Sequence, residues 1–149
     1  MASNTPEAVV IDIVTEADEQ TLHSLTALLP QLSATAAPLT RDRLEEVIDS
    51  PATRLLTARV DGTIVGALTL VMYPIPTGLR ARIEDVVVDQ ASRGLGAGRA
   101  LTTAALTIAK DHGARTVDLT STPTKAAANH LYQQLGFTAR QSTTYRVIP

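Results

Sequence analysis

The spacing of apolar residues changes several times along this chain, and each change marks an element. Val9-Val10-Ile11-Asp12-Ile13-Val14 is rich in β-branched residues and reads as a strand. Thr15 or Asp18 then suits the N-cap of a helix carrying Leu22, Leu25, Leu28 and Leu29 at helical spacing. Pro30 to Pro38 is a Ser/Thr/Ala/Pro connection that breaks this pattern. Thr40 with Arg43-Leu44-Glu45-Glu46-Val47-Ile48 predicts a second short helix ending before Pro51. Arg54 to Val60 and Ile64 to Met72 are β-patterned on either side of Asp61-Gly62, a strong hairpin-turn signal. After Pro74 and Pro76, Ala81-Arg82-Ile83-Glu84-Asp85-Val86-Val87-Val88 predicts another strand. Leu101, Ala104, Ala105, Ile108 and Ala109 repeat helically from about Gly96 to His112, with Gly113 as the stop. Thr116 to Ser121 returns to strand. Pro123 opens a last helix through Leu135, closed by Gly136, and Phe137 to Ile148 is expected to hold the final one or two strands.

This order mixes hairpins with one strand–helix–strand crossover. It predicts an α/β (α+β) fold: a mixed, mostly antiparallel sheet of six to seven strands flanked by about four helices. With 149 residues and no internal repeat, one domain over 1–149 is expected, residues 1–8 forming a loose N-terminus.

Composition narrows the function classes. Apolar residues make up 44% of the chain and charged residues 19%, a globular balance. The net charge is −2 and the basic residues are scattered, so no nucleic-acid partner is expected. No apolar run approaches the length of a membrane span and the first residues have no leader pattern, so no membrane partner and a cytoplasmic location are expected. Cysteine is absent, which removes disulfides, thiolate metal sites and a cysteine nucleophile. His23, His112 and His130 lack metal-ligand spacing, and no metal is expected; His112, just before Gly113, suits a helix C-terminus.

The chemistry concentrates where the strand ending at Val88 meets Arg93-Gly94-Leu95-Gly96-Ala97-Gly98 and a helix begins. Small residues let the backbone approach a ligand, and a helix start offers free N–H groups and partial positive charge, a ready site for a pyrophosphate. A Gly-Lys-Ser/Thr ending and the dinucleotide spacing Gly-x-Gly-x-x-Gly are both missing, so neither of those phosphate loops fits. The run Arg93-x-x-Gly96-x-Gly98 resembles the acetyl-CoA signature of the GNAT acetyltransferases, and Leu131-Tyr132-Gln133-Gln134-Leu135-Gly136-Phe137 is similar to that family's closing motif. The resemblance covers roughly Ile83 to Phe137.

It implies a GNAT fold and an N-acetyltransferase that moves the acetyl group of acetyl-CoA to a primary amine by direct attack in a ternary complex. Main-chain groups of Val86, Val87 and Val88 would pair with the pantetheine arm. The N–H groups of Gly94, Leu95, Gly96, Ala97, Gly98 and Arg99 would face the pyrophosphate, with Arg93 in the signature. Tyr132 stands where the family places the tyrosine that protonates the leaving thiolate. Glu84, favoured, or Asp85 would take the proton of the amine, since only one of them can face the substrate from a regular strand. Where many members have an Asn seven residues before that Tyr, this chain has Lys125; Asn129 is the nearest substitute for a cofactor contact.

The acceptor is a small-molecule or peptide amine. Arg41, Arg80 and Arg82 favour an anionic one, whereas Asp42, Glu45, Glu46 and Asp49 favour a cationic one. A homodimer through apolar β-segments near the C-terminus is a further expectation. The alternative class is a non-catalytic acyl-CoA-binding or sensing module, which would need the glycine loop but neither Tyr132 nor a carboxylate.

Overall fold

The computed structural model describes residues 8–149, so all but the last residue of the expected loose N-terminus lies outside it. The elements are β1 (Val10–Ile13), α1 (Glu19–Leu32), α2 (Arg41–Asp49), β2 (Thr53–Val60), β3 (Thr63–Ile75), β4 (Gly78–Val88), α3 (Ala97–Asp111), β5 (Thr116–Asp118) and α4 (Ala126–Gln134), with one 3-10 turn at Gln90–Ser92. The sheet order is β1-β2-β3-β4-β5. The first three pairings are antiparallel, and β4 pairs β5 in parallel after the α3 crossover. The architecture is thus the expected mixed, mostly antiparallel sheet with four helices.

Local chemistry explains the boundaries. Asp18, not Thr15, caps α1 by accepting from the Thr21 N–H at 2.7 Å, and Thr40 caps α2 through Arg43 N–H at 3.2 Å. Asp61 and Gly62 both adopt positive φ, as a tight β2–β3 hairpin requires. Two proline-based boundaries were misplaced. α1 continues through Pro30 to Leu32, and β3 runs through Pro74 to Ile75 before turning at Gly78.

Two apolar clusters sandwich the sheet. Leu56, Ala58, Leu68, Leu70, Ala81 and Ile83 pack against Leu101, Ala105 and Ala109 of α3. On the opposite face Leu55, Ile64, Ala67 and Val87 meet Leu25 and Leu28 of α1 and Leu44 of α2.

The strand count is five among the described residues, not six to seven. The strand expected over Thr116 to Ser121 stops at Asp118, and Phe137 to Ile148 forms no strand. Tyr145, Val147 and Ile148 are 90%, 82% and 89% exposed, so nothing packs on the apolar positions that gave this segment its β pattern. A strand needs a partner edge, and β5 offers only three paired residues.

Candidate active site

β5 ends after three residues while β4 runs on, and the uncovered edge of β4 is the candidate site. Only Arg80, Ala81 and Arg82 of β4 pair with Thr116, Val117 and Asp118, yet β4 continues to Val88. From Ile83 onward this edge of β4 carries main-chain donors and acceptors with no strand beside them. Val86, Val87 and Val88 lie along this stretch. Val86 and Val88 pack toward α3 and Val87 toward α1 and α2, so their side chains fill cores while their backbone borders the gap.

A bulge lies at the head of the gap. Thr69 of β3 faces Glu84, but Ala67 faces Val87, so β4 takes three steps where β3 takes two. Asp85 absorbs the extra residue with φ of 52°, a region that costs a non-glycine residue about 1–2 kcal/mol. The regular alternation that would let only one of Glu84 and Asp85 face a substrate is therefore broken between them. Glu84 is exposed and held by Arg82 Nε at 2.5 Å, while Arg82 also donates to Thr120 Oγ1 at 2.6 Å. Asp85 is exposed as well, but partial desolvation pushes its carboxyl above its ordinary range, and the neighbouring Glu84 charge adds to the rise.

At the far end of the gap the chain turns through Gly94 and Gly96, with φ of 87° and 86°. A Cβ on either would meet nothing within 4 Å, so conformation rather than crowding calls for glycine here. Gly96 is the N-cap of α3 and brings no side-chain oxygen. The first intrahelical bond is Ala100 N–H to Gly96 carbonyl, which leaves the N–H groups of Ala97, Gly98 and Arg99 without helix partners. Leu95 is half exposed between the two glycines, and Arg93 lies just ahead of them.

Gly98 serves a different purpose. A Cβ there would touch Leu131 at 3.6 Å and Val88 at 3.9 Å, so the first turn of α3, the end of β4 and α4 converge on it. Tyr132 follows Leu131 on α4. Its ring packs edge-on against Phe137, with centroids 5.8 Å apart, and burial raises the phenol pKa above its ordinary value.

Asn129, Arg99 and His112 each make a side-chain hydrogen bond within the protein. Asn129 donates from Nδ2 to the Thr122 carbonyl at 3.0 Å and so holds the loop between β5 and α4. Arg99 is tied to Gln134 through its side chain. Lys125 is the N-cap of α4 but makes no side-chain capping bond. His112 Nδ1 lies 2.8 Å from the Ile108 carbonyl, the helix-end role expected of it.

Two residues escaped sequence reasoning. Gln31, near the end of α1, donates to Asp89 at 3.2 Å and accepts from Gln90 N–H at 3.0 Å, clamping the segment that leads into the glycine turn. Ser121, just past β5, has the one buried side-chain polar atom without a partner among the described residues. Neither belongs to a motif; only the fold brings them to the gap or its loops. Among the described residues no group of three or more metal-ligating side chains forms, and no helix is long and apolar enough to cross a membrane.

Residues 20–137 match the sequence profile of the acetyltransferase (GNAT) family. The chain belongs to that family. It is 34% identical to a glucosamine 6-phosphate N-acetyltransferase of Trypanosoma brucei brucei over 132 residues, covering 83% of this chain and 87% of that protein. It is also 37% identical over 104 residues to a mycothiol acetyltransferase of Cellulomonas flavigena, covering 65% of this chain but only 30% of that protein. A crystal structure from Bacillus halodurans C-125, described as a transcriptional regulator, superposes with a TM-score of 0.78 at 29% identity, covering 95% of this chain and all of that one. For a GNAT domain, the gap beside β4 and the glycine turn fit acetyl-CoA. The strand edge is free to pair with an extended arm, and unpaired N–H groups stand at the helix start that would meet a pyrophosphate.

Proposed function

We propose that this protein is an N-acetyltransferase that transfers the acetyl group of acetyl-CoA directly to a primary amine while both are bound. One observation carries the reading: the β4 edge left open from Ile83 to Val88 runs from a carboxylate-bearing bulge to the unpaired N–H groups of α3. Acetyl-CoA supplies the activated thioester. Main-chain groups of Val86, Val87 and Val88 hold the pantetheine arm as a neighbouring strand would. The N–H groups from Gly94 to Arg99 receive the pyrophosphate, with the N-terminal end of the α3 dipole behind them.

Acetyl transfer needs a neutral amine and a proton for the leaving sulfur. Asp85 is the better base of the acidic pair, because its raised pKa suits proton uptake while Glu84 is engaged by Arg82. This reverses the preference for Glu84 drawn from sequence. Tyr132, its phenol pKa raised by burial, supplies the proton to the thiolate. Ser121, in the segment just past β5, contributes a free hydroxyl.

The test is calorimetric binding of acetyl-CoA to wild type and to Gly96→Glu, followed by an amine screen that begins with glucosamine 6-phosphate, the substrate named for the trypanosomal relative. Micromolar binding that the variant loses, with turnover of an amine, supports the reading. A folded wild type that binds no acetyl-CoA overturns it. Binding without turnover of any amine would favour a non-catalytic acyl-CoA module instead.

A further inference from the structure

Two helical starts follow one another after β4, and they differ in what their N–H groups do. The 3-10 turn at Gln90–Ser92 has all its donors in use: Gln90 N–H donates to Gln31 Oε1 at 3.0 Å, Ala91 N–H to Asp89 Oδ1 at 3.3 Å and Ser92 N–H to the Asp89 carbonyl at 2.9 Å. At the start of α3 the N–H groups of Ala97, Gly98 and Arg99 have no helix partner. An anion that seeks main-chain donors is thereby directed to the second start, past Gly94 and Gly96.

Gln31 completes the first of these starts from outside the segment. It stands on α1 only because that helix continues through Pro30 to Leu32. Leu25, Leu28 and Leu32 hold α1 on the cluster that contains Val87, on the sheet face opposite α3. From there the Gln31 carboxamide uses both its ends: Oε1 takes the Gln90 N–H, and Nε2 donates to Asp89 Oδ1 at 3.2 Å. Asp89 is anchored on its other side by its own N–H, bound to the Val65 carbonyl at 2.7 Å, and it takes part in no ion pair among the described residues. Among the described residues, no other side chain from a different element hydrogen-bonds to the segment from Asp89 to Gly96.

We propose that Gln31 is a positioning residue for acetyl-CoA: its carboxamide fixes the 3-10 turn, and through it the free N–H groups at the start of α3, in the arrangement that receives the pyrophosphate. The inference rests on the acetyl-transfer reading for its ligand. Arg93 to Gly96 are exposed and include two glycines, so the segment has little packing of its own, and ordering such a segment on binding weakens affinity. A pair of hydrogen bonds made before the ligand arrives removes part of that penalty. Gln31 thus acts on cofactor affinity and not on the transfer step.

The experiment is calorimetric titration of acetyl-CoA into wild type, Gln31→Ala, Gln31→Glu and the double variant Gln31→Glu/Asp89→Asn, with a melting curve of each to establish that it is folded. Gln31→Ala loses both bonds, and its Kd is expected to rise about tenfold. Gln31→Glu keeps an acceptor for the Gln90 N–H but sets two carboxylates against each other, and should weaken binding at least as much. Adding Asp89→Asn exchanges donor and acceptor: the new amide donates to the new carboxylate and still accepts from Ala91 N–H, and the net charge returns to that of wild type. The Kd of the double variant should therefore come back to within about threefold of wild type. Wild-type affinity in a folded Gln31→Ala protein overturns the proposal, as does a double variant that binds as weakly as Gln31→Glu. If Gln31→Ala does not fold, the comparison of Gln31→Glu with the double variant decides alone. A folded wild type that binds no acetyl-CoA overturns the acetyl-transfer reading, and the inference with it.

Discussion

Asp85 and Glu84 are exposed neighbours that differ in their partners, since Arg82 pairs with Glu84 alone, and two predictions separate them. The Asp85 carboxyl is raised by burial first and by the Glu84 charge second. If Asp85 is the base, kcat/KM rises with pH through its raised pKa. Glu84→Gln removes one of the two causes, so the acidic limb of the profile should move to lower pH; Asp85→Asn should abolish that limb along with most activity. A limb unmoved in Glu84→Gln would detach it from Asp85. The same shift has a sign in stability. The fold binds this proton more tightly than the unfolded chain does, so its contribution is full below the ordinary carboxylate pKa of about 4 and is lost as pH rises through the raised value. Thermal melts of Asp85→Asn should accordingly match wild type in acid and exceed it at pH 7. Tyr132→Phe is predicted to reduce kcat by about 100-fold while acetyl-CoA binds as before, because a phenol acting as proton donor serves turnover and not binding; weakened binding with kcat intact would make it a packing residue. The sequence named all three residues, but not the choice between the carboxylates. That choice depends on a bulge at Asp85 and on the Arg82 partner of Glu84, and neither leaves a trace in local spacing.

At the scale of elements, the glycine turn was legible because its chemistry is local. Positive φ at Gly94 and Gly96 and a helix starting at Ala97 follow from residue types within a few positions. Gly96→Ala should destabilise the fold by about 1–2 kcal/mol through the left-handed conformation alone, since its Cβ would meet no neighbour. Urea denaturation measures this, and acetyl-CoA binding should weaken in parallel as the turn relaxes. Were Gly96→Ala as stable as wild type, the turn would not need that conformation. Boundaries at Pro30 and Pro74 were less legible, because a proline ends an element only when packing on both sides does not continue it. β5 and the C-terminal segment were the least legible. Thr144 to Ile148 alternates like a strand, yet strand formation depends on an edge contributed from elsewhere in the chain, which local propensity cannot report.

For the whole molecule, stability rests on two cores divided by one sheet, and the short edge strand β5 leaves β4 uncovered beside the proposed site. The site is therefore carried by strands anchored elsewhere, chiefly the long β2–β3–β4 meander, whose central side chains Leu56, Leu68 and Leu70 are fully buried. Leu68→Ala removes packing from the middle of that meander and should cost about 2–5 kcal/mol, which lowers the melting temperature by roughly 5–15 °C in a domain of this size. Val147→Ala sits at the opposite extreme. Its side chain is 82% exposed on a segment outside the sheet, so the change should stay within about 0.5 kcal/mol of wild type. The pair of variants compares the two parts of the chain, because both truncate an aliphatic side chain to a methyl group, three carbons lost in one and two in the other, in different surroundings. A Leu68→Ala protein that melts like wild type would move the core away from the meander. A Val147→Ala protein destabilised by more than about 1 kcal/mol would mean that the C-terminal segment packs as a strand after all, restoring the sixth strand that its alternation predicts.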